Sequence, residues 1–308
     1  LSWRLPLKSL YFQIEAGIQS VNTRTLKEVS RTMDIDAAIK NLKLLAGKAN
    51  IHVHTDLIAG LPYEDLESFK ESFNRVYEIG AHHLQLGFLK LIHGTRIRRE
   101  ARNHGYKFRD YPPYEVIENK YITSGELLSL KEVEEVLDRT WNSGRFKFTL
   151  EYLVKFFPSP FSLYEEFAGY LKERGKLFLP ISAAGLFAVL REFALGTEGI
   201  DALSVDSLIA LDYACSLRTV VLPDFMGNSK VKVLDSKALL APILDGGWGK
   251  ECRKRFLILS GSFPLKNDED SEAIRNRMVV DMEQTDPVTG RAVPGAFPDP
   301  SGAFRGPF

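Results

Sequence analysis

The chain has 308 residues, with 40 Lys and Arg balanced by 40 Asp and Glu, and 44% hydrophobic residues. That length suits one large or two modest domains, and the apolar content excludes a wholly disordered chain. Zero net charge excludes a protein held on nucleic acid by general phosphate attraction, and no apolar run reaches the roughly 18 residues of a membrane span.

The chain opens Leu1-Ser2-Trp3-Arg4, without the pattern of a signal peptide, and reads as a cut into a longer protein. Leu10-Tyr11-Phe12-Gln13-Ile14-Glu15 predicts a strand ended by Ala16-Gly17. Asn22 or Thr23 can cap a helix to about Ser30. Asp34 can cap a second, with Ala38, Leu42 and Leu45 on its apolar face and Gly47 as its stop. The next strand is Ile51 to Ile58, closed by Ala59-Gly60. Leu61-Pro62 and the acidic pair Glu64-Asp65 lead into a helix carrying Leu66, Phe69, Phe73, Val76 and Ile79, ended by Gly80. His82 to Phe88 is a third strand, and a helix from about Thr95 to Asn103 follows. Alternating strands and helices imply an α/β fold with a parallel sheet. Three such strands make a poor core alone, so further strands upstream are expected.

Side chains alternate along a strand. Gln13 and Glu15 therefore share one face of the first strand, His52, His54 and Asp56 one face of the second, and His83 and Gln85 one face of the third. The opposite faces carry Phe12 and Ile14, Val53 and Leu57, and Leu84 and Leu86. A sheet buried on both sides reads as continuous apolar runs. These strands instead predict one face on helices and one polar face lining the cavity of an open or closed barrel.

From Tyr111-Pro112-Pro113-Tyr114 a connector runs to about Ser129, and helices are then predicted at about 130–142, 149–157, 161–174, 182–195 and 204–217. The aromatics Phe156, Phe157, Phe161, Tyr164, Phe167, Tyr170, Phe187 and Phe193 read as the core of these helices. Two late strands are expected, Arg255–Ser260 and Met278–Glu283. The Pro- and Gly-rich stretch from Pro287 to Phe308 reads as disordered.

All six histidines lie between His52 and His104. His52-Val53-His54 is an arrangement that metal-dependent hydrolases use, since two imidazoles on one face can share an ion. The pair lies ahead of the C-terminal end of its strand, however, where barrel sites collect. There is no Gly-x-Gly-x-x-Gly, no phosphate loop and no Gly-x-Ser-x-Gly elbow.

The most specific signal is an ordered series: Glu15-Ala16-Gly17-Ile18-Gln19-Ser20, then Arg31, then Asp56-Leu57-Ile58-Ala59-Gly60-Leu61-Pro62, then Leu89-Lys90-Leu91-Ile92-His93-Gly94-Thr95. It resembles the second half of the radical S-adenosylmethionine (SAM) superfamily, most of all members with a cobalamin-binding domain upstream and a mostly helical domain of unknown function downstream. Pro112-Pro113-Tyr114-Glu115 and Trp141-Asn142-Ser143-Gly144-Arg145-Phe146 fall where features of that downstream region are expected.

The resemblance implies the C-terminal half of a partial (β/α) barrel over 1–124, a mainly helical domain with late strands over 125–286, and a disordered tail over 287–308. It implies SAM contacts at Gln19, with Glu15 and Gly17 shaping the strand end, at Arg31 for the methionyl carboxylate, at Asp56 for the ribose hydroxyls, and at Ala59 and Gly60 for close approach of the adenine. His52, His54, His83 and Gln85, by alternation, would face the substrate. The parent would cleave SAM reductively with a [4Fe–4S] cluster and an external electron donor, in the cytoplasm, with cobalamin through an upstream domain. Its substrate would be a small molecule or a peptide, with no nucleic acid, membrane or resident metal ion as partner.

One departure is large. The Cys-x-x-x-Cys-x-x-Cys loop that holds the cluster is absent, and Cys215 and Cys252 cannot replace it, because a cluster needs thiolates converging on one site. Two cysteines also suit a reducing compartment. The chain as given is therefore expected to be inactive in SAM cleavage. Two other readings stand beside this one: a non-catalytic half-barrel binding or interaction module, and a metal-dependent hydrolase built on His52 and His54.

Overall fold

The structure, a computed structural model, describes residues 12–48, 50–236, 239, 255–266 and 272–296. Its elements run in chain order β1 (Phe12–Gln19), α1 (Thr23–Glu28), α2 (Ile35–Ala46), β2 (Ile51–Ala59), α3 (Leu66–Tyr77), β3 (His83–Phe88), α4 (Arg96–Arg99), β4 (Lys107–Phe108), β5 (Val116–Glu118), α5 (Ser124–Arg139), α6 (Lys147–Leu153), α7 (Pro160–Glu173), α8 (Ala183–Leu195), α9 (Ala202–Leu217), β6 (Lys232–Leu234), β7 (Phe256–Lys266), β8 (Glu272–Thr285) and β9 (Ala292–Ala296). Packing divides them into two units. Residues up to Asn142 join Ser159–Phe178, and Ser143–Pro158 joins the chain from Leu179 onward.

The first unit is built on a parallel sheet in the order β1-β2-β3. Local chemistry sets its helix starts. Asn22 Oδ1 accepts the Arg24 and Thr25 amides, and Asp34 accepts the Ala37 amide. Asp65, rather than its neighbour Glu64, caps α3 by accepting the Ser68 amide. The helix expected from Thr95 to Asn103 is a single turn, α4, capped by Thr95. In β2 the burial alternates as the sequence requires: Val53, Thr55, Leu57 and Ala59 are buried, while His52, His54, Asp56 and Ile58 are partly open.

Helices cover the apolar side. Phe73 of α3 meets the rings of Phe161 and Tyr164 of α7 at 5.4 and 5.7 Å, and Tyr77 meets Trp141 at 4.5 Å. Helices α5 and α7, which the sequence places in the downstream helical domain, thus belong to the same compact unit as the sheet. Asn142 closes the outer edge of β3. Its side-chain amide accepts the Leu84 N–H and donates to the Leu84 carbonyl, both at 2.9 Å, while Trp141 Nε1 donates to the Ala81 carbonyl. A single amide group thereby satisfies backbone that would otherwise form an open edge.

In the second unit α9 is buried around its circumference, from Ser204 to Asp212 and again at Ala214 and Cys215. The antiparallel sheet β6-β7-β8-β9 contacts it through β7, β8 and β9. Both late strands exist and are longer than expected. Strand β9 corrects the disordered tail over part of its length: Ala292–Ala296 pairs with β8, and Arg291 is anchored beside it. Residues 297–308 of that tail lie outside the described residues, as do Leu10-Tyr11 and Cys252. Cys215 is fully buried, which pushes its thiol up to about 12 and makes it inert.

Asp212 ties this unit together. Its carboxylate, with no exposed surface, accepts the Phe148 and Thr149 amides at the start of α6, the Thr149 hydroxyl, and Arg291 Nη2 at 2.7 Å. Arg291 also donates to the Gly144 and Arg145 carbonyls. Burial pushes the Asp212 carboxyl up, and Arg291 and the Thr149 bonds oppose it.

Removing one partner of a buried ion pair costs about 3–5 kcal/mol. Arg291→Ala should lower the stability of the second unit by that amount, read as a lower urea midpoint; an unchanged midpoint would deny the pair this role. For Asn142→Ala we expect a loss of about 1–3 kcal/mol, the cost of leaving polar groups unpaired. Hydrogen exchange at the Leu84 amide should quicken in that variant.

Candidate functional site

Parallel register assembles the polar face as rungs. Glu15 of β1 pairs with His54 of β2 and that with His83 of β3, while Gly17 pairs with Asp56 and that with Gln85. Gln13 stands beside His52. The residues predicted from alternation to share a face are therefore neighbours across strands as well as along them.

At the C-terminal end of β1 the register slips between Gly17 and Gln19, and Gln19 takes a left-handed conformation, φ 70°. A non-glycine residue is held there at a cost of about 1–2 kcal/mol. The kink sends the Gln19 side chain back over Gly17. A Cβ on Gly17 would stand 2.5 Å from Gln19 Nε2, and 3.6 Å from both Arg31 Nη1 and Asp56 Oδ2. Three polar side chains from separate segments thus converge where glycine leaves room. Arg31 follows α1, its amide donating to the Leu26 carbonyl, and its side chain is exposed. Burial pushes the Asp56 carboxyl up and Glu15 adds to that shift, whereas His54, His83 and Arg31 oppose it.

The kink is buttressed from below. Ser20 and Ser72 hydroxyls donate to Glu64 Oε1 at 2.5 and 3.0 Å, and the Val21 amide donates to Ser72 Oγ. Asn22 Nδ2 and Thr25 Oγ1 donate to the Tyr63 and Pro62 carbonyls. Glu64 is 1% exposed, and burial pushes its carboxyl up to about 7 against the two serine bonds. Sequence reading treats Glu64 as a first-turn helix acid and misses this role. The available signal was Ser72, a hydroxyl set in the apolar stripe of Phe69, Phe73 and Val76.

Ala59 and Gly60 sit differently from the residues round Gly17. Ala59 is 1% exposed. The Gly60 carbonyl accepts from Tyr106 Oη and Asn119 Nδ2, both at 2.9 Å, and a Cβ there would meet Val116, Leu89 and Leu127. Its φ of 89° favours glycine in its own right. Protein atoms of Leu89, Tyr106, Val116, Asn119 and Leu127 surround this turn, and Tyr106 and Asn119 carry no signal in the sequence.

Towards the other end of the strands the imidazoles pair. His52 stacks on His82 at 5.0 Å, and His54 meets His83 edge-on at 4.3 Å. The Val53 amide donates to His82 Nδ1. Burial lowers His52 and His83, and the neighbouring His54 lowers both further. Gln85 is exposed.

The donor set around Gly17 fits a nucleoside that carries an amino acid with a free carboxylate: a guanidinium for the carboxylate, a carboxylate for hydroxyls, and an amide. It does not fit an iron–sulfur cluster. Such a cluster takes converging thiolates, and among the described residues the thiol is Cys215, buried in the other unit.

Residues 102–241 match the model of a family described as a protein of unknown function, DUF4080. A 104-residue stretch is 26% identical to the uncharacterized protein YtqA of Bacillus subtilis (strain 168), covering 34% of this chain and 32% of that protein. The match thus spans about a third of the relative's length. Among the described residues no helix is long and apolar enough to cross a membrane.

A carboxyl raised from 4.5 to about 7 on folding keeps its proton longer in the native state, so the stability it favours is complete below pH 4.5. That stability falls as pH rises to about 7 and is then level, a loss of about 3 kcal/mol at 1.36 kcal/mol per unit. Glu64→Gln should flatten this slope in urea unfolding followed from pH 4.5 to 8. An unchanged slope would count against a protonated Glu64.

Proposed function

We propose that this chain is the C-terminal part of a radical SAM enzyme. In this reading β1-β2-β3 is one side of a partial (β/α) barrel, and the residues around Gly17 hold SAM. The convergence of Gln19, Arg31 and Asp56 on the space above Gly17 carries the reading. Its support in sequence is the order of the motifs that bring those residues. A further support is the match of residues 102–241 to DUF4080, a domain found in radical SAM and cobalamin proteins.

Each residue then has a task. Arg31 pairs its planar fork with the methionyl carboxylate. Asp56, facing Gly17 through Oδ2, accepts from the ribose hydroxyls. Gln19 closes over the ligand from its kinked position, and Glu15 borders the strand end. The motif order also assigns Ala59 and Gly60 to the adenine, although protein atoms enclose their turn and Ala59 is buried. His52, His54, His83 and Gln85 contact a small-molecule or peptide substrate further along the same face. SAM, when bound to a reduced cluster, supplies hydrogen-abstracting radical chemistry. The cluster, the electron donor and cobalamin belong in this proposal to the longer parent and not to the residues present here.

Calorimetric titration of the chain with SAM tests this directly. Losing a hydrogen bond to a charged group costs about 1.5–3 kcal/mol, so Arg31→Ala and Asp56→Asn should each weaken binding at least tenfold. The chain should form no 5′-deoxyadenosine under reducing conditions. Absence of SAM binding at millimolar ligand, or binding that both variants leave untouched, would sink the proposal.

A further inference from the structure

The polar face holds a second convergence, one rung below Gly17. Glu15 and His54 are register partners on adjacent strands, and Asp56 lies two residues beyond His54 on the same face. One oxygen or nitrogen from each of the three lies within 4.8 Å of the others. His54 Nε2 and Asp56 Oδ1 are 3.0 Å apart, yet both are buried atoms without a hydrogen-bond partner. An ion pair between imidazolium and carboxylate would set the oxygen along the ring N–H. No such hydrogen bond forms, so the two atoms stand close with neither of them satisfied. A cation shared between them would satisfy both. The spacing suits two adjacent ligands of one ion at about 2.0–2.2 Å from each.

We infer that Glu15 Oε, His54 Nε2 and Asp56 Oδ1 form a binding site for a divalent transition-metal ion. One imidazole and two carboxylates make a donor set of borderline hardness, suited to Zn2+ above Mg2+ or Ca2+. Glu15 is exposed, which leaves positions on the ion for water or for a substrate oxygen. His83, edge-on to His54, fixes the plane of the ligand ring. The site differs from the His52-x-His54 pair read from the sequence. The His52 ring stacks on His82, and the partner of His54 is the next same-face residue in the other direction. It adjoins the SAM reading and shares Glu15 and Asp56 with it: Asp56 turns Oδ2 toward Gly17 and Oδ1 toward His54. The carboxylate bridges two neighbouring sites, one oxygen to each.

The test is calorimetric titration of the full chain, stripped by chelator, with Zn2+ alone and no SAM present. We expect one saturable Zn2+ per chain. His54→Ala and Glu15→Gln should each weaken it at least tenfold, while His52→Ala should leave it within twofold. Zn2+ should raise the thermal midpoint of the unaltered chain and not that of His54→Ala, a readout that also checks that the variant folds. No saturable binding would overturn the inference. So would a Zn2+ affinity unchanged in both His54→Ala and Glu15→Gln, or one lost in His52→Ala. Arg31→Ala, which removes a SAM contact, should keep Zn2+ binding, so failure of the SAM reading and failure of this one are told apart.

Discussion

Parallel pairing of β2 with β1 on one side and β3 on the other is the constraint from which the site follows. With a side-chain repeat of two, the register that sets Gly17 beside Asp56 also sets Glu15 beside His54 and His83. A slip of one residue would turn every one of these groups toward the helices and bring Val53 and Leu57 to the open face. The apolar residues prevent that slip, since Val53, Leu57, Leu84 and Leu86 are all buried under helices. Ordinary core packing therefore holds the chemistry in place, and no residue of the polar face is needed to specify where it stands.

The bulge at the end of β1 adds a second level of control. Regular pairing would carry the Gln19 side chain to a face fixed by alternation. Interrupting the ladder at Ile18, which is 1% exposed, frees the next residue to turn back across the strand. The buried Ser20, Glu64 and Ser72 cluster then holds the chain after the turn. Order at the open end thus depends on groups that no ligand would touch.

Much of this was legible from residues alone. Alternation in Ile51–Ile58 gave the two faces, and Asn22, Asp34 and Gly47 marked helix ends that the structure keeps. What stayed hidden depended on distance along the chain. Asn142 reaches Leu84, Arg291 reaches Asp212, and Tyr106 and Asn119 reach Gly60; no local pattern announces such partners. Strands give way to helices near residue 124, while the compact unit that holds the sheet also takes in α5 and α7. Helices α5 and α7 carry the same apolar periodicity whether they pack on a sheet or on other helices, so periodicity could not place them. Pro and Gly dominate the composition around β9 and hide Ala292–Ala296, while its anchor is one arginine just before it.

The Asn142 amide has a consequence for how this sheet grows. Because one side chain takes both the N–H and the carbonyl of Leu84, a strand laid along that edge of β3 would find its ladder broken in the middle. The outer edge of β1 has no such plug among the described residues. The two edges of the sheet are thereby unequal: a strand added beside Phe12–Gln19 would meet no such break, whereas one added beside β3 would lose the Leu84 positions.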